Sequence, residues 1–114
     1  MRMKLVGITL VLHLTSCLLA SSFVWSIERA LPVTDGPGHD GRSFSTAIVV
    51  EADSEVQGVN AEYMWIAFQR PNKDVVLQSL VFEGGRAYDI LEVAGRDGNT
   101  EEIYFDITAF YGRW

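Results

Sequence analysis

Asp89 and Asp106 are the residues whose types and spacing best suit chemistry in this chain. They lie in neighbouring alternating runs, Arg86 to Ala94 and Thr100 to Thr108. A two-residue turn at Asp97-Gly98 would set Asp89 directly across from Asp106, with Tyr104 diagonal to Asp89. Like charges opposite one another destabilise a sheet. Such a pair would bind a cation, share a proton, or use one carboxylate as a general base. The other reading is that a bulge or a one-residue change in either turn dissolves the pair, because side chains change faces with a period of two, or that each Asp bonds a nearby backbone N–H or Arg.

Asp35, His39 and Asp40, in a Gly- and Pro-rich stretch, form a second candidate metal site through oxygen and imidazole, although a lone His in such a stretch also reads as plain loop. The serines have no G-x-S-x-G elbow around them, which leaves serine-hydrolase chemistry without support. Cys17 is the only cysteine, so neither an intramolecular disulfide nor a cysteine-based zinc site can form. No motif calls for a cofactor. Five aromatics, Trp65, Phe68, Phe110, Tyr111 and Trp114, make a candidate partner surface: Trp65 and Phe68 point away from the apolar helix face defined below. The other reading is that the C-terminal aromatics fold back over that pair as a second small core.

The elements that must position these residues are legible from periodicity and punctuation. Ile48-Val49-Val50 marks a first strand. Ser54-Glu55-Val56-Gln57 has the form of a capping box, so a helix follows until Pro71, with Val56, Val59, Tyr63, Ile66 and Ala67 as its apolar face. Gly58 is a weak point in its first turn. After Asn72-Lys73-Asp74 come three strands: Val75 to Glu83, Arg86 to Ala94 and Thr100 to Thr108, joined at Gly84-Gly85 and Asp97-Gly98. In that register Val81 faces Tyr88, Ser79 faces Ile90, Ile90 faces Phe105 and Tyr88 faces Ile107, which would be the helix-facing core. The expected class is α+β: one helix on a four-stranded, mainly antiparallel sheet in the order β-α-β-β-β, with a short aromatic C-terminal tail.

Upstream, Met1-Arg2-Met3-Lys4 precedes 23 residues from Leu5 to Ile27 without Asp, Glu, Lys or Arg. That reads as an export signal. Three fates fit it: cleavage near Ala20-Ser21-Ser22 or Val24-Trp25-Ser26, lipidation at Cys17 where Leu14-Thr15-Ser16-Cys17 resembles a lipobox, or retention as an anchor long enough for a bilayer core of about 30 Å. Residues 1–26 are thus a signal peptide or anchor, 27–44 a flexible arm, and 45–114 a small α+β domain. Fifteen Asp and Glu face nine Lys and Arg, and seven without Arg2 and Lys4. Such an acidic surface repels nucleic acid and anionic lipid, which leaves the N-terminal segment as the membrane contact if it is retained or lipidated.

Several fragments, Asp40-Gly41-Arg42-Ser43-Phe44, Ala47-Ile48-Val49, Glu62-Tyr63 with Trp65, Tyr88-Asp89-Ile90, and Tyr104-Phe105-Asp106-Ile107 with Phe110 and Gly112, resemble small exported bacterial proteins of unassigned function. The resemblance spans roughly residues 40–114 and implies a bacterial source and a compact domain, with no activity to carry over. The order of elements also resembles a reduced cystatin-type arrangement. Gln78-Ser79-Leu80 is similar to the Gln-x-Val of cystatin hairpins, but Leu80 replaces the Val and the following Gly is missing, so the likeness is of order and not of site. These readings lead to an exported, periplasmic or extracellular, noncatalytic module that binds a protein or envelope component. The alternative is a small cation-dependent or acid/base enzyme using Asp89 and Asp106.

Overall fold

Residues 31–114 are described by a computed structural model, and the leader with its three fates lies outside them. Pro32–Trp114 forms one compact unit. Its elements in chain order are β1 (Val33–Thr34), β2 (Ile48–Val50), α1 (Glu55–Gln69), β3 (Asp74–Glu83), β4 (Arg86–Ala94) and β5 (Thr100–Asp106). The class is α+β with a single helix, and the sheet is five-stranded and mixed in the order β1-β2-β5-β4-β3. β2 runs parallel to β5 while the other pairs are antiparallel. Among the described residues no helix is long and apolar enough to cross a membrane.

The expected arm is more ordered than its Gly and Pro content suggests. Val33 and Thr34 pair with Val50 and Val49, supplying the fifth strand. Further on, Phe44 packs edge-on against Tyr88 at 4.9 Å and Tyr104 at 5.0 Å, covering part of the sheet face opposite the helix.

The two hairpins decide which side chains face the helix. Gly84 and Gly85, with φ of 57° and 77°, form the two-residue turn that Cβ-bearing residues resist, and Glu83 pairs with Arg86 as expected. The second turn is longer. Gly95 N–H donates to Asn99 O, Gly98 N–H donates to Gly95 O, and Gly98 takes a φ of 83°, leaving Arg96-Asp97-Gly98 as a three-residue loop. An odd loop shifts the register by one. Asp89 therefore lies opposite Phe105, Tyr88 opposite Asp106 and Ile90 opposite Tyr104. The expected placement of Ile90 and Tyr88 against the helix is corrected: Ala87, Asp89, Leu91 and Val93 take that face with Ile103 and Phe105.

The core lies between α1 and the β2-β5-β4 part of the sheet, where Ile48, Val50, Leu91, Val93 and Phe105 are completely buried. β3 pairs with β4 at the sheet's edge, and none of its ten residues is buried.

Candidate functional site

α1 begins as its capping residues require: Gln57 N–H donates to Ser54 Oγ, and Gln57 Oε1 accepts from Asp53 N–H at 2.8 Å. Its buried residues are Gly58, Ala61, Glu62, Trp65 and Ile66, a stripe with helical spacing that includes only Ile66 of the expected apolar face. The cause lies at Gly58. The Phe110 ring occupies the place a Cβ would take there, so the C-terminal tail packs directly on the helix backbone. Glu55 N–H donates to Arg113 O at 2.7 Å and Gly112 N–H donates to the Glu55 carboxylate at 2.8 Å, tying the tail to the first turn. Docked by its small residues, the helix turns Val56 and Tyr63 outward and Trp65 inward, where its ring meets Phe105 edge-on at 5.7 Å.

The same rotation buries Glu62. Glu62 is 0% exposed and Asp89, which reaches up from β4, is 5% exposed. Neither carboxyl oxygen of Glu62 has a hydrogen-bond partner of good geometry. Burial, then the Asp89 charge and a hydrogen shared with Asp89, then the Glu55 charge, push Glu62 up to about 10. Burial also raises Asp89, against the opposing effect of hydrogen bonds from Glu62 and Gln78. A proton on Glu62 reconciles the geometry with the electrostatics: it removes one of two facing charges and, with a small side-chain adjustment, supplies Asp89 with a donor.

Beside this pair the sheet is uncovered. Gln78, Leu80 and Phe82 of β3 pair with Leu91, Asp89 and Ala87, so they share the helix-side face. Yet Leu80 is 47% and Phe82 61% exposed. Only marginal bridges cross to them. Tyr63 Oη donates to Gln78 Oε1 at 3.4 Å, and Tyr111 meets Phe82 edge-on at 5.3 Å. Because Glu83 and Arg86 flank a two-residue turn they are a hydrogen-bonded pair, and by alternation Val81 and Ser79 also bond to β4. Gln78, Leu80 and Phe82 consequently direct their amides to the open edge.

The expected Asp89–Asp106 pair does not form, since the two lie on opposite faces. Asp106 is a saturated carboxylate that accepts from Arg86 Nε at 2.7 Å, Thr108 Oγ1 at 2.6 Å and Thr108 N–H at 3.0 Å. Burial alone would raise it, but Arg86 and Thr108 outweigh burial and hold it below the usual carboxylate range.

Asp35, His39 and Asp40 line an open cleft of about 460 Å³ with Trp65 and Arg70. Each has structural work: Asp35 accepts from Trp65 Nε1 at 2.7 Å, His39 Nδ1 lies 3.0 Å from Ala47 O, and Asp40 accepts from Arg42 N–H. Arg70 lies over the Trp65 ring and forks onto Glu101. Among the described residues no group of three or more His, Cys, Asp or Glu could hold a metal.

Of the five aromatics expected to form a partner surface, Trp65 and Phe110 are buried, at 6% and 0% exposure, because they supply the helix's packing contacts. Phe68, Tyr111 and Trp114 are exposed. Sequence reasoning missed Glu62, Gln78, Leu80 and Phe82; the signal available was Gly58 and Ala61 four and one residues before Glu62, a small-residue stripe that favours close helix docking. Comparison of the chain with protein-family models, with curated proteins and with solved structures finds no match to any of them.

Proposed function

We propose that this chain is an exported, noncatalytic module that binds a protein partner by accepting an extended segment of it along β3. The observation that carries this reading is a ten-residue edge strand with no buried residue, whose centre, Val75 to Phe82, is uncharged and mostly apolar. An open edge of that kind is a template for another strand, and native proteins ordinarily blunt it with charges, bulges or a cover. Here a bulge at Val76 and the acids Asp74 and Glu83 blunt only its ends. Added strands draw affinity from main-chain hydrogen bonds and specificity from alternate side chains, and Leu80 and Phe82 offer apolar area for the latter. The net charge of −6 favours a basic segment. The cationic start and apolar run of residues 1–27 support an encounter in the periplasm or outside the cell, with an envelope protein as the partner.

Leu80→Pro tests the reading, because proline at that position removes an outward amide while leaving the bonds of Ser79 and Val81 to β4. Partner captured by the native chain from an envelope extract should be lost in the variant while its thermal transition remains cooperative. Adding the captured protein to the native chain should slow amide exchange at Gln78, Leu80 and Phe82. Undiminished capture, or protection elsewhere, overturns strand addition.

A further inference from the structure

We infer that Asp89, with Glu62 beside it, is a subsite for a cationic side chain, arginine or lysine, carried by the segment that adds to β3. The inference rests on the strand-addition reading and names the chemistry of its partner. Leu80 pairs directly with Asp89 across the β3–β4 ladder. A residue placed opposite Leu80 on an added strand is therefore two strand spacings, about 9.5 Å, from the Asp89 backbone on the same face. A long cationic side chain spans that gap by laying its methylenes along the exposed Leu80 and extending its head to the carboxylate that reaches up from β4.

The groups at the far end lack what such a head supplies. Glu62 is fully buried and makes no well-formed hydrogen bond beyond the proton it shares with Asp89, so the pair keeps acceptor capacity that a further donor would fill. A guanidinium carries five donors and no acceptor, an ammonium three. Asp106 shows within this molecule what a supplied carboxylate looks like, with Arg86 at 2.7 Å and Thr108 completing its shell. Among the described residues neither Glu62 nor Asp89 makes an ion pair with a cation. Among the described residues, the contacts that bridge to β3 beside the pair are the 3.4 Å bond from Tyr63 to Gln78 and the Tyr111 ring on Phe82, all four residues exposed. Phe82, two residues beyond Leu80, adds an aromatic ring beside the path, and Glu55 adds a further negative charge acting on both buried acids. Among the described residues no group of three or more His, Cys, Asp or Glu surrounds the pair, and a side-chain cation also brings methylenes that the exposed Leu80 can cover.

The probe is a random nonapeptide display library, selected in parallel on the native chain and on Asp89→Asn. From the native chain we expect peptides with alternating apolar residues and Arg or Lys at one fixed central position. From Asp89→Asn the alternation should persist and the central cation should vanish. A synthetic peptide from the first selection should bind the native chain at least about tenfold more weakly when its central Arg or Lys is replaced by Gln. Glu62→Gln, which keeps the Asp89 carboxylate and leaves the charge of the protonated pair unchanged, should retain the preference for the cation, and its loss overturns the assignment to Asp89. Alternating peptides with no fixed cation, or the same cation selected on Asp89→Asn, overturn the subsite and leave strand addition standing. Failure of either selection to enrich alternating peptides overturns strand addition as well.

Discussion

Two halves of one sheet contrast in this molecule. Under α1, strands β2, β5 and β4 bury Ile48, Val50, Leu91, Val93, Ile103 and Phe105, and the carboxylate at the end of β5, Asp106, has a full set of donors. Beyond the helix, β3 leaves Leu77, Leu80 and Phe82 about half or more exposed, and the adjoining buried acid, Glu62, makes no well-formed hydrogen bond. Apolar surface and hydrogen-bonding capacity are spent on stability in the first half and left available in the second. Such division is expected where a binding function competes with stability.

The sharpest way to break this contrast is to truncate large side chains in both halves. Phe105→Ala or Leu91→Ala should cost about 2–5 kcal/mol in urea denaturation, since each opens a cavity at a completely buried position. Phe82→Ala and Leu80→Ala should cost less than about 1 kcal/mol, as expected of exposed positions. Equal costs would mean that β3 is covered in solution.

Acidity gives the next largest effect. Glu62 is ionised in the unfolded chain above its ordinary value near 4.5 and stays protonated in the folded one until about pH 10. The folded state therefore holds more protons across that window, and stability falls as pH rises through it, by up to about 1.4 kcal/mol per unit for one proton. Glu62→Gln should flatten the slope between pH 5 and 8 and be more stable than the parent at pH 8 by up to about 5 kcal/mol. An unchanged slope would show that the pair is hydrated and its acids ordinary.

Gly58→Ala probes how the helix is set on the sheet. The added methyl overlaps the Phe110 ring, so a loss of about 1–3 kcal/mol is expected, together with increased proteolysis of the tail after Ile107. The smallest effect belongs to the satisfied carboxylate. Arg86 is half-exposed, which screens its attraction for Asp106, and Arg86→Ala should cost about 1 kcal/mol at pH 7. Because Asp106 is held low in the folded state, that contribution is present above its ordinary value of 3.8 and lost as pH falls through the depressed one. Parent and variant should therefore converge in acid, the reverse of the trend at Glu62.

Local signals account for the elements themselves. Ser54 and Gln57 cap α1, Pro71 follows its end, and Gly84-Gly85 makes the β3–β4 hairpin with the expected pairing of Val81 to Tyr88 and Ser79 to Ile90. Each depends on residues a few positions apart, and the physics of caps and tight turns is equally local. Val33 and Thr34 escaped notice because two residues carry no period; they are a strand only because β2 is beside them.

The candidate site was settled by two contacts that no local pattern specifies. One is the turn at Arg96-Asp97-Gly98, where three residues instead of two change the parity of the hairpin, moving Asp89 to the helix side and leaving Asp106 on the other. The other is the seat of Phe110 on Gly58, made across 52 residues of chain, which rotates α1 so that Glu62 meets Asp89 and Trp65 enters the core. Composition, capping and punctuation by themselves determined that one helix and a meander of strands would form in an acidic chain whose first residues are mostly apolar. Which carboxylates would meet, and which edge would stay open, depended on loop parity and helix rotation, and both are fixed by long-range packing because the local energy differences between the alternatives are small.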